Sequence, residues 1–144
     1  MAGRSRSTLE SAIQGIPLFS GLTKRQLGSV AKLCFERTYD KGDLLVRQTD
    51  VGQLMVALVS GRARVERDGT RLGTVTAGDV VGEMSLLDGQ PCSASVVAET
   101  AIEAIVLHRT AFRGLLAEAP SITAKLLVAQ TARVRELDRR IAAI

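Results

Sequence analysis

Residues 81–96 read VGEMSLLDGQPCSASV, and their order looks like a small binding device. Gly82 and Glu83 open a single predicted helical turn. A Gly89-Gln90-Pro91 loop follows, then the small residues Cys92, Ser93, Ala94 and Ser95, then a strand. Free backbone N–H groups at a helix start attract anions. A glycine there removes the side chain that would block close approach. Glu83 would be repelled by a bound phosphate, so its functional use is to accept a hydrogen bond, for instance from a sugar hydroxyl. Its structural use is as a first-turn acid that complements the helix dipole. Ser93 and Ser95 add donors. Cys92 is the dissonant residue, because an anion site wants an arginine after the proline.

On either side of this stretch the chain keeps a regular rhythm. Glycines fall at 42, 52, 61, 69, 78 and 89, and turn signals every 8–12 residues mark a β-sandwich or barrel. Between them lie short apolar runs, LLV at 44–46 and LMVALV at 54–59. Residues 62–66, RARVE, alternate strictly, which places Ala63 and Val65 inside and Arg62, Arg64 and Arg67 outside. Asp68-Gly69 is a strong hairpin signal. With SVVA at 95–98 and IEAIVL at 102–107, about seven or eight strands are predicted across a β core of about 34–108. Helices flank it. Ser7 or Thr8 caps the first, through about Gln14. Thr23 caps the second, with Leu27, Val30, Ala31 and Leu33 on one side. Thr110 caps a third, Pro120 interrupts, and Ser121 starts a last helix that runs to the C-terminus. Leu127, Val134, Leu137, Ile141 and Ile144 make an a/d-like stripe on that helix, too short for an autonomous coiled coil. The stripe either packs on its own barrel or serves a homodimer or partner protein.

A chain of 144 residues is one domain by length. The net charge is +4, with 15 Arg and 4 Lys against 15 acidic residues. The C-terminal stretch from Pro120 is the most basic, which is read as a solvated helix face. The two cysteines, Cys34 and Cys92, form no disulfide framework and no Cys-x-x-Cys. No apolar run reaches the roughly 18 residues a membrane span needs, and no signal peptide is visible, so a cytoplasmic location is expected. The single histidine, His108, sits at a strand end as a structural or solvent-facing residue. It supports neither a metal centre of three or four converging ligands nor a hydrolytic triad. No P-loop or dinucleotide glycine pattern occurs. The expectation is a binding module, with no catalysis, no metal and no cofactor.

Taken in order, these elements resemble the cyclic nucleotide-binding domain family, which includes catabolite-activator-type regulators, kinase regulatory subunits and cyclic-nucleotide-gated channels. Ile16-Pro17-Leu18-Phe19-Ser20-Gly21-Leu22 resembles the family's leading segment. Lys41-Gly42-Asp43, Val59-Ser60-Gly61-Arg62 and Gly78-Asp79 resemble its turns. Gly82-Glu83-Met84-Ser85-Leu86-Leu87, with Pro91-x-Ser93-Ala94-Ser95-Val96, resembles its phosphate-binding cassette. The resemblance covers about 12–135. It implies a mainly β fold, an eight-stranded jelly-roll barrel with N-terminal helices, a short cassette helix and C-terminal helices. It implies that cAMP or cGMP is the ligand and that the protein is regulatory. In this resemblance Gly82 lets the backbone approach and Glu83 holds the ribose 2′-hydroxyl. Amides near Met84 and Ser85, together with Ser93 and the Ala94 amide, meet the cyclic phosphate.

Two departures qualify those expectations. Position 92, where the family's pattern calls for arginine, is Cys92. Hydrogen bonds to charged groups contribute about 1.5–3 kcal/mol, and leaving a buried charge unpaired adds to the loss. Affinity should therefore fall roughly 10- to several-hundred-fold. Arg47 and Arg71 are candidates to replace the missing charge. The second departure is the short stretch after the barrel, which leads to the expectation of a short or missing lid over the ligand and no DNA-binding domain. The alternatives are a degenerate fold serving as a protein-interaction module or a sensor of another ligand, and a thiol switch at Cys92.

Overall fold

The computed structural model of the protein describes residues 6–142. The chain opens with α1 (Arg6–Gln14), a 3-10 turn (Pro17–Phe19) and α2 (Lys24–Leu33). Thr23 caps α2 as the sequence predicts. Its hydroxyl accepts from the Gln26 amide at 3.1 Å, and Gln26 Oε1 accepts from the Thr23 amide at 3.0 Å, a complete capping box.

The strands follow as β1 (Cys34–Tyr39), β2 (Leu44–Val46), β3 (Leu54–Ser60), β4 (Ala63–Arg67), β5 (Thr70–Val75), β6 (Val80–Val81), β7 (Ser95–Ala98) and β8 (Ile102–His108). The short α3 (Glu83–Asp88) lies between β6 and β7, and α4 (Arg109–Glu118) and α5 (Pro120–Ala142) come after β8. Two four-stranded sheets result, β1-β8-β3-β6 and β2-β7-β4-β5, with every pairing antiparallel. This is the jelly-roll that the family resemblance implies, and it agrees with the β-sandwich or barrel that the glycine rhythm predicts. The Asp68-Gly69 hairpin is present as read. Both residues have positive φ, 52° and 81°, between the paired Arg67 and Thr70, the backbone a two-residue type I′ turn requires.

The uninterrupted apolar runs have a simple cause. On β3, Val56 and Leu58 point between the sheets, while Met55 and Ala57 point to the helices. On β8, Ala104 and Val106 go inward and Ile105 and Leu107 outward. A strand buried on both faces has no polar side to alternate with. The helix-side core gathers Ile13, Phe19, Phe112 and Ile122 over that sheet.

Cys34 belongs to this region, at the junction of α2 and β1. Burial pushes its thiol from an ordinary value near 9.0 up to about 12. The thiolate is the reactive form, so three pH units of lost thiolate, partly offset by the higher nucleophilicity of a more basic sulfur, slow reaction about 30- to 60-fold. Iodoacetamide at pH 8 should label Cys34 at least that much more slowly in the native protein than in urea. Equal rates in the two states would contradict the burial.

Two helix starts differ from expectation. His108, not Thr110, caps α4. The Thr110 amide donates to His108 Nδ1 at 3.3 Å, so the last residue of β8 supplies the acceptor. Pro120 opens α5 rather than preceding it. The first helical position tolerates proline because its amide would be unpaired there anyway. In the C-terminal stripe, Leu127 is 68% exposed. The side chains of Val134, Leu137 and Ile141, and Ile144 altogether, lie outside the described residues.

Candidate functional site

The site is built where β6 gives way to α3. Gly82 is the N-cap of α3, with φ 86° and ψ −8°. A Cβ at Gly82 would stand 2.5 Å from the Leu54 carbonyl oxygen. The glycine is thus required by the backbone itself, whatever approaches from the cavity. Glu83 is only 2% exposed and lies in the wall of a cavity of about 1140 Å³. Glu83 is the acid in the first turn of α3, as the helix-dipole reading has it, but it is a buried acid and not a surface one. Met84 is 61% exposed and offers the site backbone rather than an enclosed side chain.

Ser85 is buried, and its hydroxyl is committed to the fold. Ser85 Oγ accepts from the Gly52 amide at 2.8 Å and donates to the Gln90 carbonyl at 2.6 Å. That pair ties α3 to the loop before β3 and to the loop after α3. It also explains Gly52, which has no positive φ. A Cβ at Gly52 would press on Ser85 Cβ at 3.2 Å. The glycine rhythm is therefore a turn signal at 42, 61, 69, 78 and 89 and a packing signal at 52.

Cys92 is pinned through its backbone. Its amide donates to the Asp50 carbonyl at 2.8 Å, and its carbonyl accepts from the Thr49 amide at 2.9 Å. The half-buried residue lines the main cavity and a smaller hollow of about 290 Å³ behind it. Ser93 and Ala94 line the main cavity. Ser95 does not. Its hydroxyl accepts from the Gln48 amide at 2.8 Å and joins β2 to β7. The structure thus brings Gly82, Glu83, Met84, Ser85, Cys92, Ser93 and Ala94 to one wall.

The rest of the lining is mostly apolar, with Leu18, Val46, Val65, Val75, Val80 and Val96, and also takes in Asp79, Asp88 and Lys125. The stretch after the barrel is not missing from the cavity, because a helix borders it, although Ala124, Val128 and Ala132 stay exposed there and do not close over it. α5 runs 23 residues and places Ala124, Lys125, Val128 and Ala132 on the cavity. It is anchored by Ile122 and Leu126 in the core. It is also held by Lys125 Nζ donating to the Gly21 carbonyl and to Gln26 Oε1, and by Gln26 Nε2 donating to Ser121 Oγ. The sequence reading missed these four residues because their spacing of 1, 3 and 4 reads equally well as a solvated helix face.

Neither proposed substitute arginine reaches the wall. Arg71 forks onto Glu99 at 3.0 and 3.1 Å. That hydrogen bonding holds the Glu99 carboxyl below its usual range. Arg47 sits 3.6 Å from Asp50 and borders only the smaller hollow. The third assignment, Arg67 outward, holds for its exposure, since Arg67 ends β4 as an exposed residue and does not line the cavity. Arg67 has the same parity on β4 as Ala63, which is buried, and Val65, which lines the cavity. Its Nε donates to the Ser93 carbonyl at 2.8 Å.

Comparison with known proteins agrees with this geometry. Residues 36–119 match the family described as "Cyclic nucleotide-binding domain". The cyclic AMP receptor protein of Thermus thermophilus is 32% identical over 133 residues, spanning 88% of this chain and 61% of that protein. The cAMP-dependent protein kinase regulatory subunit of Schizosaccharomyces pombe is 30% identical over 119 residues, 82% of this chain and 29% of that one. The crystal structure of the Thermus thermophilus catabolite activator protein superposes with a TM-score of 0.77 at 31% identity, covering 88% of this chain and 62% of that chain. The chain belongs to the cyclic nucleotide-binding domain family. It spans less than two thirds of the length of these relatives. Among the described residues, no helix is long and apolar enough to cross a membrane.

Proposed function

We propose that the chain is a non-catalytic, cytoplasmic regulatory domain that senses a cyclic nucleotide, cAMP or cGMP, with affinity lowered by Cys92. The observation that carries this reading is Glu83, buried in the wall of the cavity that Ser93, Ala94 and α5 also border. A buried acid at the start of a short helix is suited to accept from a ribose hydroxyl. The apolar wall from Leu18 and the strand valines suits the base. The amides around Met84, Ser85 and Ala94 suit the phosphate. Occupancy reaches a second copy or a partner protein through α5, whose Ala124 and Val128 border the cavity. DNA contact is not part of the reading.

Calorimetric titration with cAMP and cGMP tests the proposal. Saturable heat is expected, and Glu83→Gln should weaken it about 10- to 150-fold, the worth of a hydrogen bond to a charged group. The 2′-deoxy ligand should cost the wild type a similar factor and cost Glu83→Gln nothing further. No heat at millimolar ligand from folded protein would overturn the reading. It would favour the alternative that the uncharged Cys92 suggests, a fold kept as a protein-interaction module or as a sensor of another ligand.

A further inference from the structure

We propose that Arg67, from the end of β4, supplies the positive charge that position 92 lacks. It is thereby a specificity-determining residue for an anionic ligand at this site. The inference rests on the cyclic-nucleotide reading above and goes beyond it, because it assigns the phosphate's counter-charge to a different strand.

Three observations converge on Arg67. The first is strand parity. Side chains on one face of a strand recur every second residue, so Arg67 leaves β4 on the same face as Ala63 and Val65, at the exposed end of the strand and outside the residues that line the cavity. The second is the hydrogen bond from Nε to the Ser93 carbonyl. It fixes the guanidinium beside the residue that follows Cys92 and that lines the cavity. The third is availability. Arg62 and Arg71 hold Glu99, Arg64 holds Glu66 and Arg47 holds Asp50, whereas among the described residues no carboxylate pairs with Arg67. An arginine carries five N–H donors, so the one bond to Ser93 leaves the outer fork open. That fork suits a phosphate.

The other cavity walls offer no competitor. Among the described residues the cavity is bordered by Asp79, Glu83 and Asp88 and by a single basic residue, Lys125. The Lys125 ammonium is occupied by the Gly21 carbonyl and Gln26. Arg113 donates to the Leu86 carbonyl, behind α3. Arg109 donates to the Gly52 carbonyl. Without Arg67, Lys125 would be the one basic residue of the described lining, and its bonds to the Gly21 carbonyl and Gln26 hold it on the α5 side.

The test titrates cAMP and neutral adenosine into the wild type, Arg67→Met and Arg67→Lys, with urea unfolding as a check on each fold. Arg67→Met should weaken cAMP about 10- to 150-fold and leave adenosine within about twofold, and Arg67→Lys should recover part of the cAMP loss. Equal losses for cAMP and adenosine would mean that Arg67 only braces the Ser93 carbonyl, which overturns the proposal. So would unchanged cAMP binding by Arg67→Met, and that result leaves the cyclic-nucleotide reading intact. Absence of cAMP binding by the wild type overturns both.

Discussion

Cys92→Arg is expected to tighten cyclic-nucleotide binding by about 10- to 150-fold, the return of a charge-assisted hydrogen bond. The substitution changes a side chain at a position whose backbone is already fixed, since the Cys92 amide and carbonyl are bonded to Asp50 and Thr49. The loop therefore has no reason to move. The new side chain has space, because Cys92 lines the main cavity and also the hollow bounded by Arg47, Asp50 and Gly52. A guanidinium there would enter a wall bordered by Glu83 and Asp88, which offsets its own desolvation. Isothermal titration of cAMP into both proteins, with thermal unfolding alongside, decides the matter. Unchanged affinity from a variant of unchanged stability would sink the idea that position 92 is the weak point of the site. If Arg67 already provides part of the charge, the gain should lie toward the lower end of that range. Removing Arg67 should then cost less in the Cys92→Arg background than in the wild type, because two groups acting on one phosphate are not additive.

The fold was legible because its punctuation is made of residues with narrow conformational meaning. Asp68-Gly69, Gly78 and Gly89 each take positive φ. Thr23 with Gln26 specifies a helix start by hydrogen bonds alone. The list of cassette residues was equally legible, since Gly82 through Ser85 and Cys92 through Ala94 are nearly contiguous and any loop that folds back brings them together. What escaped depends on distance in space. That Ser85 spends its hydroxyl on Gly52 and Gln90, and Ser95 on Gln48, cannot be read locally, because a serine in a loop has the same appearance with or without a partner 33 or 47 residues away. The contribution of α5 to the cavity is of the same kind. Arg67 is exposed, as its charge suggests, and what no local pattern shows is that its Nε reaches the Ser93 carbonyl 26 residues away.

Gly82→Ala is expected to cost about 2–5 kcal/mol of stability, enough to threaten a domain whose total is about 5–15 kcal/mol. Two penalties add. A residue with a Cβ in the left-handed region pays about 1–2 kcal/mol, and Gly82 sits at φ 86°. The Cβ would also stand 2.5 Å from the Leu54 carbonyl oxygen. That oxygen belongs to β3, which pairs with β6 and β8, so it cannot give way without loosening the sheet. Overpacking against an element that cannot move adds about 1–3 kcal/mol. Gly69→Ala separates the two. Gly69 has φ 81°, but nothing stands within 4 Å of its Cβ position, so that variant should pay the backbone term alone. Urea unfolding reads both. With a slope of about 2 kcal/mol per molar urea, Gly82→Ala should lower the midpoint by about 1–2.5 M, and by clearly more than Gly69→Ala does. Equal shifts for the two variants would mean that Leu54 relaxes. The glycine would then be retained for what enters the cavity and not for the strand beside it.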